Sequence, residues 1–120
     1  VEPECPSWLD DIAKAEWEHV VGVLREMNLL SVADQTALIC YCNAWSRYRM
    51  AFEQVQKFGA VILSPNKKYP MPSPYQSIME RAEKDIMAWS DRFGLSPSAR
   101  ARLAVEPKAN DDDKWKRIVG

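Results

Sequence analysis

A chain of 120 residues, 47% hydrophobic and 28% charged with a net charge of −1, has room for one modest core and not for two independent folding units. No apolar run approaches the roughly 20 residues needed to cross a bilayer, and no basic-then-apolar leader opens the sequence. Cys5, Cys40 and Cys42 are odd in number and form no C-x-x-C pair, which argues against a disulfide framework and fits a reducing compartment.

The near-neutral total conceals a split. Residues 1–34 carry eight acids against Lys14 and Arg25, a net −6, which leaves +5 for the remainder. Charge segregated in this way can present an acidic and a basic face to different partners, or can serve only as solvated helix surface. The chain opens at Val1 without an initiator methionine, which leaves room for a trimmed N-terminal arm.

Ser7 followed by Asp10 reads as a helix start, and the acids of the next turns suit the positive end of the helix dipole. Leu9, Ile12, Ala13, Trp17, Val20, Val21, Leu24 and Met27 then recur at three- and four-residue steps, one wide apolar stripe over a helix at about 8–27. Asn28 suits a left-handed stop. Ser31 and Asp34 form a second capping box, opening a helix over about 32–58 in which Leu38, Tyr41, Trp45, Tyr48, Phe52, Val55 and Phe58 approach a heptad seam. Gly59 reads as its C′ glycine.

Residues 59–73 break the helical period. Val61, Ile62 and Leu63 suit a short strand and Ser64-Pro-Asn-Lys67 a turn, while Pro70 and Pro72 exclude the return from any central strand position. An irregular β-hairpin or extended arm is expected. Ser73, Pro74 and Gln76 supply the N-cap, N1 and N3 residues of a third helix, about 74–93, with Ile78, Met79, Ala82, Ile86 and Trp89 on its apolar face. Gly94 ends it, and Ser96-Pro97 opens a short helix over 97–105. The fold class is therefore mainly α: a long antiparallel helical hairpin, a short β-hairpin or extended arm, and a C-terminal helix-turn-helix-like pair. Residues 1–105 read as a single helical domain and 106–120 as a polar, flexible tail.

Catalytic chemistry finds little footing. His19 is the only histidine, and it lies among acids on the first helix with no nucleophile elbow elsewhere. Cys40 and Cys42 point about 200° apart on a helix and read as small residues of a packed interface. No nucleotide-binding loop is present. No enzyme activity, metal, cofactor, small-molecule substrate or membrane association is expected.

Nucleic-acid binding has more support. Phe93-Gly-Leu-Ser96 has the length of a helix-turn-helix turn. Arg100 and Arg102 follow it, and then Lys108, Lys114, Lys116 and Arg117 in the tail. Flexible cations of this kind track phosphates without reading sequence, although Arg100 and Arg102 can equally pair with the acids of the first helix. Lys67 and Lys68 on the arm, and Arg47, Arg49 and Lys57 on the long helix, are weaker candidates. Trp45, Tyr48 and Phe52, with Val61 and Leu63 on the arm, are the candidates for a subunit interface.

Several blocks carry a family resemblance: Cys5-Pro-Ser-Trp-Leu9, Asn28-Leu-Leu-Ser-Val-Ala-Asp34 leading into Leu38-Ile-Cys-Tyr-Cys42, Tyr48-x-x-Ala51, Gly59-Ala-Val-Ile-Leu-Ser-Pro-Asn66 and Pro72-Ser-Pro74. The most specific is Gly94-Leu-Ser-Pro-Ser-Ala-Arg100-x-Arg-Leu103. In this order, from Cys5 to Leu103, they resemble the small terminase subunit of tailed double-stranded-DNA phages. The resemblance implies a ring-forming homo-oligomer that recognises viral DNA in the host cytoplasm. It would pass that DNA to a large subunit bearing the ATPase and nuclease. The competing expectations are a dimeric helix-turn-helix regulator and a helical adaptor without DNA affinity.

Overall fold

The computed structural model describes residues 2–31, 34–66, 68–97 and 101. Three helices, α1 (Asp11–Glu26), α2 (Gln35–Phe58) and α3 (Pro74–Arg92), and two strands, β1 (Val61–Leu63) and β2 (Pro70–Pro72), follow one another in the chain. The expected helix over 97–105, its pairing with α3, and the tail lie outside the described residues, Pro97 and Ala101 excepted.

The first helix begins three residues later than the Ser7 cap implied. Ser7 and Trp8 sit in a turn closed by the Leu9 N–H on the Pro6 carbonyl (3.4 Å). Asp10 is the N-cap, its Oδ1 accepting from the Ala13 N–H at 2.8 Å. It outcompetes Ser7 because its second oxygen also accepts from Ser46 Oγ on α2 at 2.6 Å. At the other end Asn28 takes φ 58°, and the Leu29 N–H reaches the Leu24 carbonyl (2.9 Å) while the Asn28 N–H reaches Arg25 (3.0 Å). This Schellman pair satisfies carbonyls the helix would otherwise strand.

Asp10 meets Ser46 and Glu16 meets Tyr41, so α1 runs antiparallel to α2. The Ser31–Asp34 box forms in part: Asp34 Oδ2 accepts from the Ser31 N–H at 2.9 Å, and α2 itself starts at Gln35. The N-terminal segment folds back along this hairpin. Glu2 pairs with Arg25 through both carboxylate oxygens, and Gln35 Nε2 donates to the Glu4 carbonyl at 3.0 Å. α3 packs on another side of α2, also antiparallel, since Tyr41 meets Phe93 edge-on (6.1 Å between centroids) and Arg47 meets Asp85. Gly94 at φ 78° ends α3 with the same double bond pattern, Leu95 N–H to Ser90 and Gly94 N–H to Asp91.

The core is the α1 stripe (Leu9, Ala13, Trp17, Val20, Val21, Leu24) against Leu38, Tyr41 and Cys42 of α2, with Ile86, Trp89 and Phe93 of α3 closing it. The heptad row of α2 does not stay buried. Leu38, Tyr41 and Val55 are buried, Trp45 and Tyr48 half-buried, and Phe52 and Phe58 exposed. The cause is length: α2 has 24 residues and α1 only 16, and α1 starts level with Ser46. Cys42 is the packed thiol, whereas Cys40 faces solvent, which corrects the expectation that both line an interface.

The arm is an antiparallel hairpin with Val61 opposite Pro72, Ile62 opposite Met71 and Leu63 opposite Pro70. The Ser73 N–H donates to the Ala60 carbonyl and the Ser64 N–H to Tyr69, both at 2.8 Å. The hydrogen-bonded pairs are thus 60/73, 62/71 and 64/69, and both prolines fall at positions whose N–H would point away from the ladder. Pro70 and Pro72 therefore cost the hairpin nothing, and they deny the outer edge of β2 to a further strand. Gly59, at φ 90° and ψ 159°, is the C-cap of α2 rather than the residue after it.

Candidate functional site

A buried polar cluster lies between α1 and α2. Glu16 is buried, accepts from Tyr41 Oη at 2.7 Å and approaches His19 Nδ1 at 3.2 Å, with the His19 ring exposed. Burial first, then the Glu16 bond, raises the Tyr41 phenol well above its ordinary range, so it remains a neutral donor. The Cys42 thiol is pushed up to about 12 by burial, with Glu16 and Cys5 adding to the effect. It stays protonated and is a poor nucleophile. The cluster joins two helices and offers no activated base or thiolate. Among the described residues no three His, Cys, Asp or Glu side chains gather as a metal site would need, and no helix is long and apolar enough to cross a membrane.

Trp45, Tyr48 and Phe52 form a ladder on α2. Successive rings lie 6.2 and 6.1 Å apart and 23° and 24° from parallel. Beside it Asp11, Ile12, Ala15 and Glu16 of α1 with Trp45 and Arg49 of α2 line an open groove of about 370 Å³. The ladder emerges from the core as it passes the start of α1, ending at Phe52 with 40% of its surface exposed. On the hairpin, Val61 and Leu63 are 63% and 64% exposed and share one face with Pro70 and Pro72, the four being the non-hydrogen-bonded positions. Every residue expected at a subunit interface thus has accessible apolar surface.

Of the expected DNA contacts, Lys68 is exposed in the hairpin turn at φ 50°. Lys67, Arg100, Arg102, Lys108, Lys114, Lys116 and Arg117 lie outside the described residues. Of the weaker candidates, Arg49 borders the groove, Lys57 lies 5.7 Å from the Phe58 ring, and Arg47 bonds Asp85 Oδ2 at 3.3 Å.

Three cations on α3 escaped the sequence reading. Arg81, Lys84 and Arg92 are exposed, with Arg92 lying over the Trp89 ring at 4.9 Å. Their three- and eight-residue spacing is legible in the sequence, where it interleaves with Glu80, Glu83, Asp85 and Asp91. Packing leaves both signs on the outer side of the helix, with Asp91 beside Lys84 and Asp85 beside Arg92.

Residues 13–110 match the family model described as phage terminase, small subunit. The match covers α1 from Ala13 onward, all of α2 and α3, the hairpin and the Gly94–Leu103 block. The chain belongs to the phage terminase small-subunit family. Small terminase subunits are non-catalytic components of phage DNA packaging, in keeping with a buried polar cluster that serves to hold helices together. No curated protein and no solved structure matches the chain. The small terminase subunit here offers an apolar surface on the α2 ladder and hairpin, and a mixed-charge outer side on α3.

Proposed function

We propose that this small terminase subunit assembles as a homo-oligomeric ring, recognises double-stranded viral DNA in the host cytoplasm, and recruits or stimulates the large ATPase/nuclease subunit. The observation that carries the assembly is the ladder Trp45–Tyr48–Phe52, which leaves the core where α1 stops covering α2 and is continued by the exposed Val61 and Leu63. A row of rings that passes from half-buried Trp45 and Tyr48 to exposed Phe52 fits burial against a neighbour. Residues 1–105 act as one helical unit, with 106–120 as its tail. In this reading Arg100, Arg102, Lys108, Lys114, Lys116, Arg117, Lys67 and Lys68 contribute phosphate contacts. A ring multiplies such weak contacts through effective concentration, so a near-neutral subunit can still hold DNA.

Native mass by light scattering after size exclusion, at low and high salt, tests the assembly. A defined species of many subunits is expected at both, because the seam is apolar rather than ionic. A monomer or dimer at both would overturn the ring.

A further inference from the structure

We infer that the outer edge of β1 accepts residues 115–119 of the same chain as a third, antiparallel strand. This goes beyond the packaging reading and does not depend on it. With 60/73, 62/71 and 64/69 as the hydrogen-bonded pairs, the N–H and C=O groups of Val61 and Leu63 point away from β2. Among the described residues no strand pairs with that edge. The side chains of Val61 and Leu63 are mostly exposed as well, so an approaching strand meets little obstruction. Open edges of this kind are where extended segments add. Only one can add here, because Pro70 and Pro72 close the opposite edge.

Sequence and charge choose the occupant. Past the described residues the chain reads Asp111-Asp-Asp-Lys-Trp115-Lys-Arg-Ile-Val119. Trp115, Ile118 and Val119 are strand-forming types, and no proline interrupts them. Residues 57–79, which include the hairpin, carry three lysines and no acid. An antiparallel strand enters at the Leu63 end of β1, which brings Asp111, Asp112 and Asp113 toward the turn where Lys68 is exposed. A parallel strand would instead set these three carboxylates at the C-terminal end of α2, the negative end of its dipole. Charge therefore fixes the direction as well as the partner.

Reach allows the return within one chain. Ser73 caps α3 directly after β2, so the hairpin stands at the N-terminal end of α3, whose 19 residues span about 28 Å. The stretch from Ala101 to Trp115 can extend to about 46 Å. Pairing uses backbone groups only. It leaves the side chains of Lys116 and Arg117 available to phosphate, and the apolar face of Val61 and Leu63 available to a neighbour. A two-stranded hairpin is marginal by itself, so the added strand would also steady the arm.

The test is amide hydrogen exchange, followed residue by residue by NMR in the full chain and in R117P/I118P. Two adjacent prolines remove an edge-facing N–H whichever register the strand takes. The Val61 and Leu63 amides should exchange about ten-fold faster in R117P/I118P than in the parent, with the Leu24 and Leu38 amides of the helices unchanged. Equal rates at Val61 and Leu63 in the two proteins would overturn the third strand. Slow exchange in the parent that is lost on dilution would assign the strand to another copy and overturn the return within one chain. Neither result bears on the packaging role.

Discussion

Asp10 receives bonds from two elements at once, the Ala13 N–H of its own helix and the Ser46 hydroxyl of the next. The Ser46 bond first, and the Ala13 bond after it, hold its carboxyl below the ordinary aspartate range. A carboxyl depressed in the folded state stabilises the fold above its unfolded pKa, and that contribution disappears as pH falls through the folded value. Asp10→Ala should therefore cost about 1 kcal/mol at neutral pH, and the gap to the parent should close below roughly pH 4. Ser7→Ala should change stability by less than about 0.5 kcal/mol, as at other exposed positions. Urea unfolding at fixed protein concentration measures all three. Equal losses from Ser7→Ala and Asp10→Ala would mean that the cap is shared. The same stretch of α1 holds Glu16, whose tie to Tyr41 spans 25 residues of sequence. A buried glutamate on an acidic helix carries no local mark of its partner.

Two glycines show how local geometry decides the sign of one substitution. Gly22 lies inside α1 with nothing within 4 Å of an added Cβ, so Gly22→Ala should stabilise the protein by about 0.5–1 kcal/mol. Gly59 sits at φ 90° and ψ 159°, a region essentially reserved for glycine, although its Cβ would meet only ordinary contacts at 3.5 Å. Gly59→Ala should cost about 1–3 kcal/mol through backbone strain alone. Melting curves of the two variants should move in opposite directions, and a shared direction would contradict the Gly59 geometry. Elements were legible wherever chemistry is local. The α1 stripe, Asn28 as a stop, the Ser73–Pro74 start, the Gly94 end and the proline-bearing hairpin all depend on neighbours a few residues away. What sequence could not give is coverage. The α2 aromatics read as one seam because the period is continuous, and only the shorter length of α1 decides that Leu38 is buried and Phe52 is not. The exposure of the α3 cations was missed for the same reason, since Ala82, Ile86 and Trp89 decide which way that helix faces.

At the scale of the whole molecule, the acids of residues 1–34 gather on and around α1, while the outer side of α3 mixes Arg81, Lys84 and Arg92 with Glu80, Glu83, Asp85 and Asp91. The aromatic ladder faces away from Arg47. A subunit laid out in this way can meet its neighbours through apolar surface without spending its cations on them, which a packaging ring that grips DNA would require. The ladder must then be an interface and not merely an imperfect core, and its exposed end separates the two possibilities. Phe52 keeps 40% of its surface accessible, so Phe52→Glu removes little from the interior of a single chain. A core role predicts a modest stability loss at constant mass. A seam predicts that burying a carboxylate between subunits is prohibitive, because an unpaired charge removed from water costs several kcal/mol. Phe52→Glu should therefore retain the helical circular dichroism of the parent while its mass falls toward that of the monomer. Trp45→Ala is the weaker probe, since Trp45 is half-buried within its own subunit and its loss would lower stability and assembly together. A Phe52→Glu protein that still ran at the full oligomeric mass would move the seam off the ladder, leaving the exposed hairpin face of Val61 and Leu63 as the surface to substitute next.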